Sequence, residues 1–220
     1  MKKLIIEFIG TFFLVLVIGM VSYHQVLFGS PNLLAPVGIG AMLMVMVYLG
    51  GNISGAHYNP AVTLGAMLRK KISSGEAVKY MLVQLAGALC AALAFYIIFK
   101  IAMSPPAPVN GFQYNIKPLI IEMLFTFALV SVVLHVATTQ KAAGNSYYGL
   151  AIGFTVAAGA IAAGPYSGGA FNPAVTLGPM IMDAVTGGSS LGNAWFYLVG
   201  QFAGAMAAAW VFGMTNPDEM

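Results

Sequence analysis

Of the 220 residues, 60% are hydrophobic and only 7% are Asp, Glu, Lys or Arg, against roughly 25% charged in an ordinary soluble domain. Six apolar stretches take up most of the length, so no soluble catalytic or binding domain fits around them. The net charge of +3 is explained by where the basic residues lie and calls for no nucleic-acid partner.

A spanning helix needs about 20 mainly apolar residues. Six stretches qualify: 4–21, 33–50, 77–99, 118–137, 147–163 and 194–214. The first follows Met1-Lys2-Lys3 and so resembles a secretory signal. It is longer than a typical apolar signal core, carries Glu7 and lacks a small-x-small cleavage site, so it reads as a retained span. Lys2 and Lys3 precede it, Arg69, Lys70, Lys71 and Lys79 fall at the junction of spans two and three, and Lys141 lies between spans four and five. Only Lys100 and Lys117 are on the other side. This positive-inside bias places both termini in the cytoplasm, and the short tails and compact loops point to a plasma (inner) membrane. Cys90 is the only cysteine, so no intramolecular disulfide is available. His24, His57 and His135 share no metal-ligand spacing, so neither metal nor cofactor is expected.

The chain is written twice. Ile5-Ile6-Glu7-Phe8 returns as Ile120-Ile121-Glu122-Met123, and Gln84 finds its counterpart in Gln201. Asn59-Pro60-Ala61-Val62-Thr63-Leu64-Gly65 recurs unchanged as Asn172-Pro173-Ala174-Val175-Thr176-Leu177-Gly178. The expected organisation is one transmembrane domain over residues 1–220, with repeat one at about 1–105 and repeat two at about 115–220. Three spans per copy is an odd number, so the second copy sits inverted in the bilayer. The expected fold is all-α: six transmembrane helices plus two re-entrant half-helices.

Asparagine is a favoured N-cap and proline a favoured first helical residue, so each Asn-Pro starts a helix. The apolar run after it has only about ten residues, half a membrane thickness. Two inverted half-helices would meet start to start at the midplane. The glycine-containing stretches before them, 50–57 and 164–170, expose carbonyls that are tolerable at that depth only beside water. With its side-chain oxygen used as a cap, each asparagine leaves its NH2 for the lumen. Two helix starts of about +0.5 charge each repel cations there.

Ser54-Gly55-Ala56-His57-Tyr58-Asn59-Pro60-Ala61 and Ser167-Gly168-Gly169-Ala170-Phe171-Asn172-Pro173-Ala174 resemble the two signature loops of the aquaporin, or major intrinsic protein, family. The resemblance covers the whole chain. It implies a homotetramer with one pore per subunit, lined by the carbonyls of Gly55, Ala56 and His57 and of Gly168, Gly169 and Ala170. It also implies a four-residue filter, which falls on Ile39, Ala160, Gly169 and Val175. Most members carry arginine where this chain has Val175. The resulting filter is apolar, and small at two positions; an aliphatic residue in place of the arginine resembles plant vacuolar-membrane aquaporins and some microbial branches.

The reading is thus a passive channel for water and small neutral solutes such as urea, glycerol, ammonia or hydrogen peroxide. A water-selective channel and an inverted-repeat secondary transporter are the alternatives. Glu7 and Glu122 are read as bracing the re-entrant loops rather than relaying protons, and His57 as structural rather than a pH gate. No catalytic constellation is present, so no enzyme activity is expected.

Overall fold

The computed structural model describes residues 1–107 and 116–219. These form eight α-helices joined by loops and single 3-10 turns, and among the described residues there is no β-strand. The helices are α1 (Lys2–Phe28), α2 (Ala35–Ser54), α3 (Pro60–Leu68), α4 (Ser74–Phe99), α5 (Lys117–Ala137), α6 (Tyr148–Ser167), α7 (Pro173–Val185) and α8 (Ala194–Thr215). All but α3 and α7 are long and apolar enough to cross a membrane. The shorter pair have 9 and 13 residues. At 1.5 Å per residue these reach about 14 and 20 Å, short of a ~30 Å hydrocarbon core.

Local chemistry marks the helix ends. Ser73 accepts from the Glu76 backbone N–H and Glu76 stands in the first turn of α4, an arrangement that favours helix initiation. Proline opens α2, α3, α5 and α7. Gly29 closes α1 in the left-handed conformation.

Two boundaries differ from the sequence expectation. The stretches 50–57 and 164–170 are not extended throughout, because α2 continues to Ser54 and α6 to Ser167. The reason is the demand that backbone groups at this depth be paired. Each helix therefore runs on until Gly55 or Gly168 turns left-handed and donates its N–H to Gly51 or Gly164. Only the few residues before each asparagine leave the helix.

α1 packs on α2 and α4, and α5 on α6 and α8; α2 meets α6 at the centre. α3 packs on α4, α5 and α8, while α7 packs on α8, α1 and α4. Each pairing thus has a counterpart when α1–α4 are exchanged for α5–α8. Missing side chains make the crossings close. A Cβ on Gly87 would lie 2.6 Å from the Phe8 carbonyl oxygen, and one on Gly204 2.3 Å from that of Met123. At the α2–α6 crossing, Gly40 and Gly153 face each other in the same way. Small residues at helix crossings are the usual basis of tight packing in membranes. The proposed division between the copies falls largely on residues 108–115, outside the described residues.

Candidate functional site

Asn59 has extended backbone dihedrals, and its side-chain oxygen accepts from the N–H groups of Ala61 at 2.8 Å and Val62 at 3.4 Å. Asn172 does the same for Ala174 at 2.9 Å. The expectation that each asparagine leaves its whole NH2 to the lumen is corrected here. Asn59 Nδ2 donates to the Phe171 carbonyl at 2.9 Å, and Asn172 Nδ2 donates to the Tyr58 carbonyl at 2.9 Å. Each helix start is therefore tied to the opposite loop, and one N–H per asparagine remains. Carbonyls at a helix junction need donors, and these asparagines are the groups within reach.

The loops before the asparagines share an unusual backbone. Gly55, Ala56 and Tyr58 have positive φ, as do Gly168, Gly169 and Phe171. Left-handed conformation is costly for residues with a Cβ, so something must hold Ala56, Tyr58 and Phe171 there. The holding groups are Glu7 and Glu122. Glu7 accepts from Ser54 Oγ at 2.6 Å, from the backbone N–H groups of His57 (2.9 Å) and Tyr58 (2.7 Å), and from Gln84 Nε2 at 2.8 Å. Glu122 accepts from Ser167 Oγ (2.8 Å), the N–H groups of Ala170 (3.1 Å) and Phe171 (2.8 Å), and Gln201 Nε2 (2.9 Å). A buried carboxylate is tolerated only when its lone pairs are met in this way. Gln84 continues to Thr63, which bonds the Asn59 carbonyl; Gln201 continues to Thr176, which bonds that of Asn172. Tyr80 and Tyr197 donate to the carbonyls of Ser54 and Ser167.

Both asparagines open into one central cavity of 330 Å³. Ile39, Ala160, Gly169 and Val175, the four expected filter positions, line this same cavity. So do Ala56, His57, Gly168 and Ala170 of the expected carbonyl ladder. Among the described residues, no Asp, Glu, Lys or Arg lines it. Gly55 instead faces a second, basal cavity of 330 Å³, beside Lys3, Lys71 and Glu76. His57 and Val133 line both cavities and so stand between them. His57 is held there by a 3.1 Å contact from Nδ1 to Thr63 Oγ1 and by edge-on packing with Tyr80. Along α1 the lining runs from Lys3 to Ser22, about 28 Å at 1.5 Å per residue and close to the thickness of a hydrocarbon core.

Pro60, Ala61, Pro173 and Ala174 are buried and open the two half-helices behind the asparagines. In the sequence Arg69 counts among the cytoplasm-side cations between spans two and three. It is instead buried at the C-terminal end of α3, with its guanidinium 4.4 Å from the Phe212 ring centroid. It donates to Glu219 at 2.8 Å and to the Thr138 carbonyl and hydroxyl. Glu219 also accepts from the Gln140 backbone N–H. That bond first, with the Arg69 charge, holds the Glu219 carboxyl below the usual carboxylate range despite its partial burial. Nothing in the local sequence marks the pairing, since its partners lie 150 positions apart.

The major intrinsic protein family model matches residues 1–212. Aquaporin NIP1-4 of Oryza sativa subsp. japonica is 36% identical over 216 residues, covering 97% of this chain and 77% of the relative. Nodulin-26 of Glycine max is 33% identical over 225 residues, covering 98% and 78%. Among solved structures, the aquaglyceroporin from Plasmodium falciparum superposes with a TM-score of 0.85 at 20% identity, covering 99% of this chain and 98% of that one, which shows a shared fold. With a family match over nearly all of its length, re-entrant loops tied through paired asparagines and six helices long and apolar enough to span a membrane, this chain belongs to the major intrinsic protein family, the aquaporin channels.

Proposed function

We propose that the protein is a passive channel for water and small neutral solutes, working as a homotetramer in the plasma (inner) membrane with both termini cytoplasmic. The observation that carries this reading is the shared cavity: both asparagines and all four filter positions line one uncharged space. A permeating water would accept from the remaining N–H of Asn59 and Asn172 and donate to the loop carbonyls, replacing the partners it leaves in bulk. Cations would meet two helix starts, about one positive charge in sum, with no carboxylate among the described residues lining the central cavity to offset it.

The filter also bears on solute choice. Val175 stands where most members carry arginine, and Ala160 and Gly169 add little bulk. This leaves a mouth that accepts urea, glycerol, ammonia or hydrogen peroxide beside water. An arginine there would add a repulsion of about 4 kcal/mol for a cation 4 Å away at an effective dielectric of 20. In this chain the half-helices carry the exclusion of ions.

The test is uptake of water, glycerol, urea and ammonia into proteoliposomes over a series of gradients, with and without sodium and proton gradients. A channel gives flux proportional to the solute gradient and indifferent to ions. Saturating, ion-driven uptake would instead identify a coupled transporter.

A further inference from the structure

Arg69 lies outside both cavities, yet its bonds hold part of a cavity wall in place. α3 ends at Leu68 and α5 at Ala137, within reach of this one guanidinium. Each helix end carries unmatched carbonyls and about half a negative charge, so a cation between the two meets a need of both. Arg69 Nε donates to Thr138 Oγ1 at 3.2 Å and Nη2 to the Thr138 carbonyl at 3.3 Å. Phe212 of α8 packs on its face, and Glu219 of the turn after α8 balances its charge. We propose that Arg69 and Glu219 are positioning residues for permeation: acting through Thr138, they hold the end of α5 against α3 and so set the width of the passage between the central and basal cavities. This rests on the channel reading and adds a determinant at the basal end.

The wall concerned is Val133, Ala137 and Thr138 of α5 and its cap, which line the basal cavity together with His57 and Ala66. Neither Arg69 nor Glu219 lines it. Their influence passes through two ties between α5 and α3. The inner tie is one of shape: a Cβ on Gly65 would lie 2.5 Å from Val130 Cγ1, so Val130 rests on bare backbone. The outer tie is the pair of bonds from Arg69 to Thr138. Val133 falls between the two. From Val130 to Thr138 is about 12 Å along a helix, so losing the outer tie frees a lever of that length to swing about the inner one. Glu219 keeps the outer tie in place. Without its carboxylate, an Arg69 side chain only 1% exposed would be an uncompensated buried charge and would turn toward water, leaving Thr138. The carboxylate is itself fixed, since the Gln140 backbone N–H donates to its two oxygens at 3.0 and 3.1 Å. The loop after α5 and the turn after α8 are thus fastened to the same junction.

The experiment measures glycerol and water permeability of the full chain in the same proteoliposomes, beside its melting temperature in detergent. Removing one charge alone leaves the other buried and unpaired, so Arg69→Met and Glu219→Met are combined; an apolar pair leaves no such charge behind. The double variant melts close to the parent, yet its glycerol-to-water ratio rises several-fold because Thr138 has lost both donors. Thr138→Val removes the hydroxyl at nearly unchanged volume and raises the ratio by less. Thr138→Ser keeps the hydroxyl and the parent ratio, which general loosening of the bundle would not do. A parent-like ratio in the assembled double variant overturns the proposal, and so do equal ratios in the two Thr138 variants. If the double variant does not assemble, the Thr138 pair decides alone. A parent protein that conducts no water sinks the channel reading instead, whatever the variants do.

Discussion

Glu7 and Glu122 each gather four donors from three separate elements. In Glu7→Gln an amide NH2 would face some of those donors, leaving at least one buried N–H unmet at a cost of about 1–3 kcal/mol. The apparent melting temperature in detergent should fall, and further still in Glu7→Ala. Equal stability of parent and both variants would contradict the bracing role. Asn59→Asp keeps the cap but turns the donor facing the Phe171 carbonyl into an acceptor. We expect lower stability together with measurable cation conductance in a planar bilayer; a stable, electrically silent, water-conducting variant would contradict the electrostatic account. Val175→Arg should lower the urea-to-water permeability ratio, because a guanidinium refills the space beside Ala160 and Gly169. Among the described residues no carboxylate lines the central cavity, so loop carbonyls are the acceptors nearest to hold it. A ratio unchanged or raised would move the filter elsewhere.

At the scale of elements, α3 is fastened at both ends. Its start is tied to the second loop through Asn59, and its end to the C-terminal turn through Arg69 and Glu219. The Arg69 and Glu219 side chains are 1% and 11% exposed, so this pair is screened far less than a surface one. Because the Glu219 carboxyl titrates below its ordinary range, the contact contributes stability above that range and loses it as pH falls through the depressed value. Thermal unfolding of the parent and Glu219→Gln should therefore differ most near neutrality and converge in strong acid. A constant difference would contradict the linkage. The same element shows what a sequence discloses. Asn59-Pro60 marks the start of α3 because capping is local chemistry, and the repeated heptamer marks α7 likewise. The anchoring of the end of α3 was not legible: Arg69 reads as one more cation in a basic loop until tertiary structure brings up Glu219 and Phe212. The same holds for the ties between Asn59 and Phe171, Asn172 and Tyr58. Their partners are backbone carbonyls, which carry no residue signature. Helix ends at Ser54 and Ser167 were misjudged because glycine punctuates chains in water, whereas in a membrane the need to pair every backbone group overrides it.

Taken whole, the molecule is a scaffold of six long helices that holds two short ones start to start. The crossings at Gly40, Gly87, Gly153 and Gly204 depend on a missing side chain, and the left-handed residues of the two signature loops on a buried carboxylate or its neighbours. Along this scaffold lie a central cavity and a basal cavity that share His57 and Val133 in their linings; the proposed channel runs through both. A route of fixed width predicts water movement with a low activation energy, because hydrogen bonds are exchanged along the wall rather than broken for a conformational step. The most direct measurement is stopped-flow shrinkage of proteoliposomes under an osmotic step, at several temperatures, against vesicles without protein. The account predicts faster shrinkage with a weaker temperature dependence than the bare lipid. Equal rates and equal temperature dependence, with the protein assembled in the membrane, would contradict it.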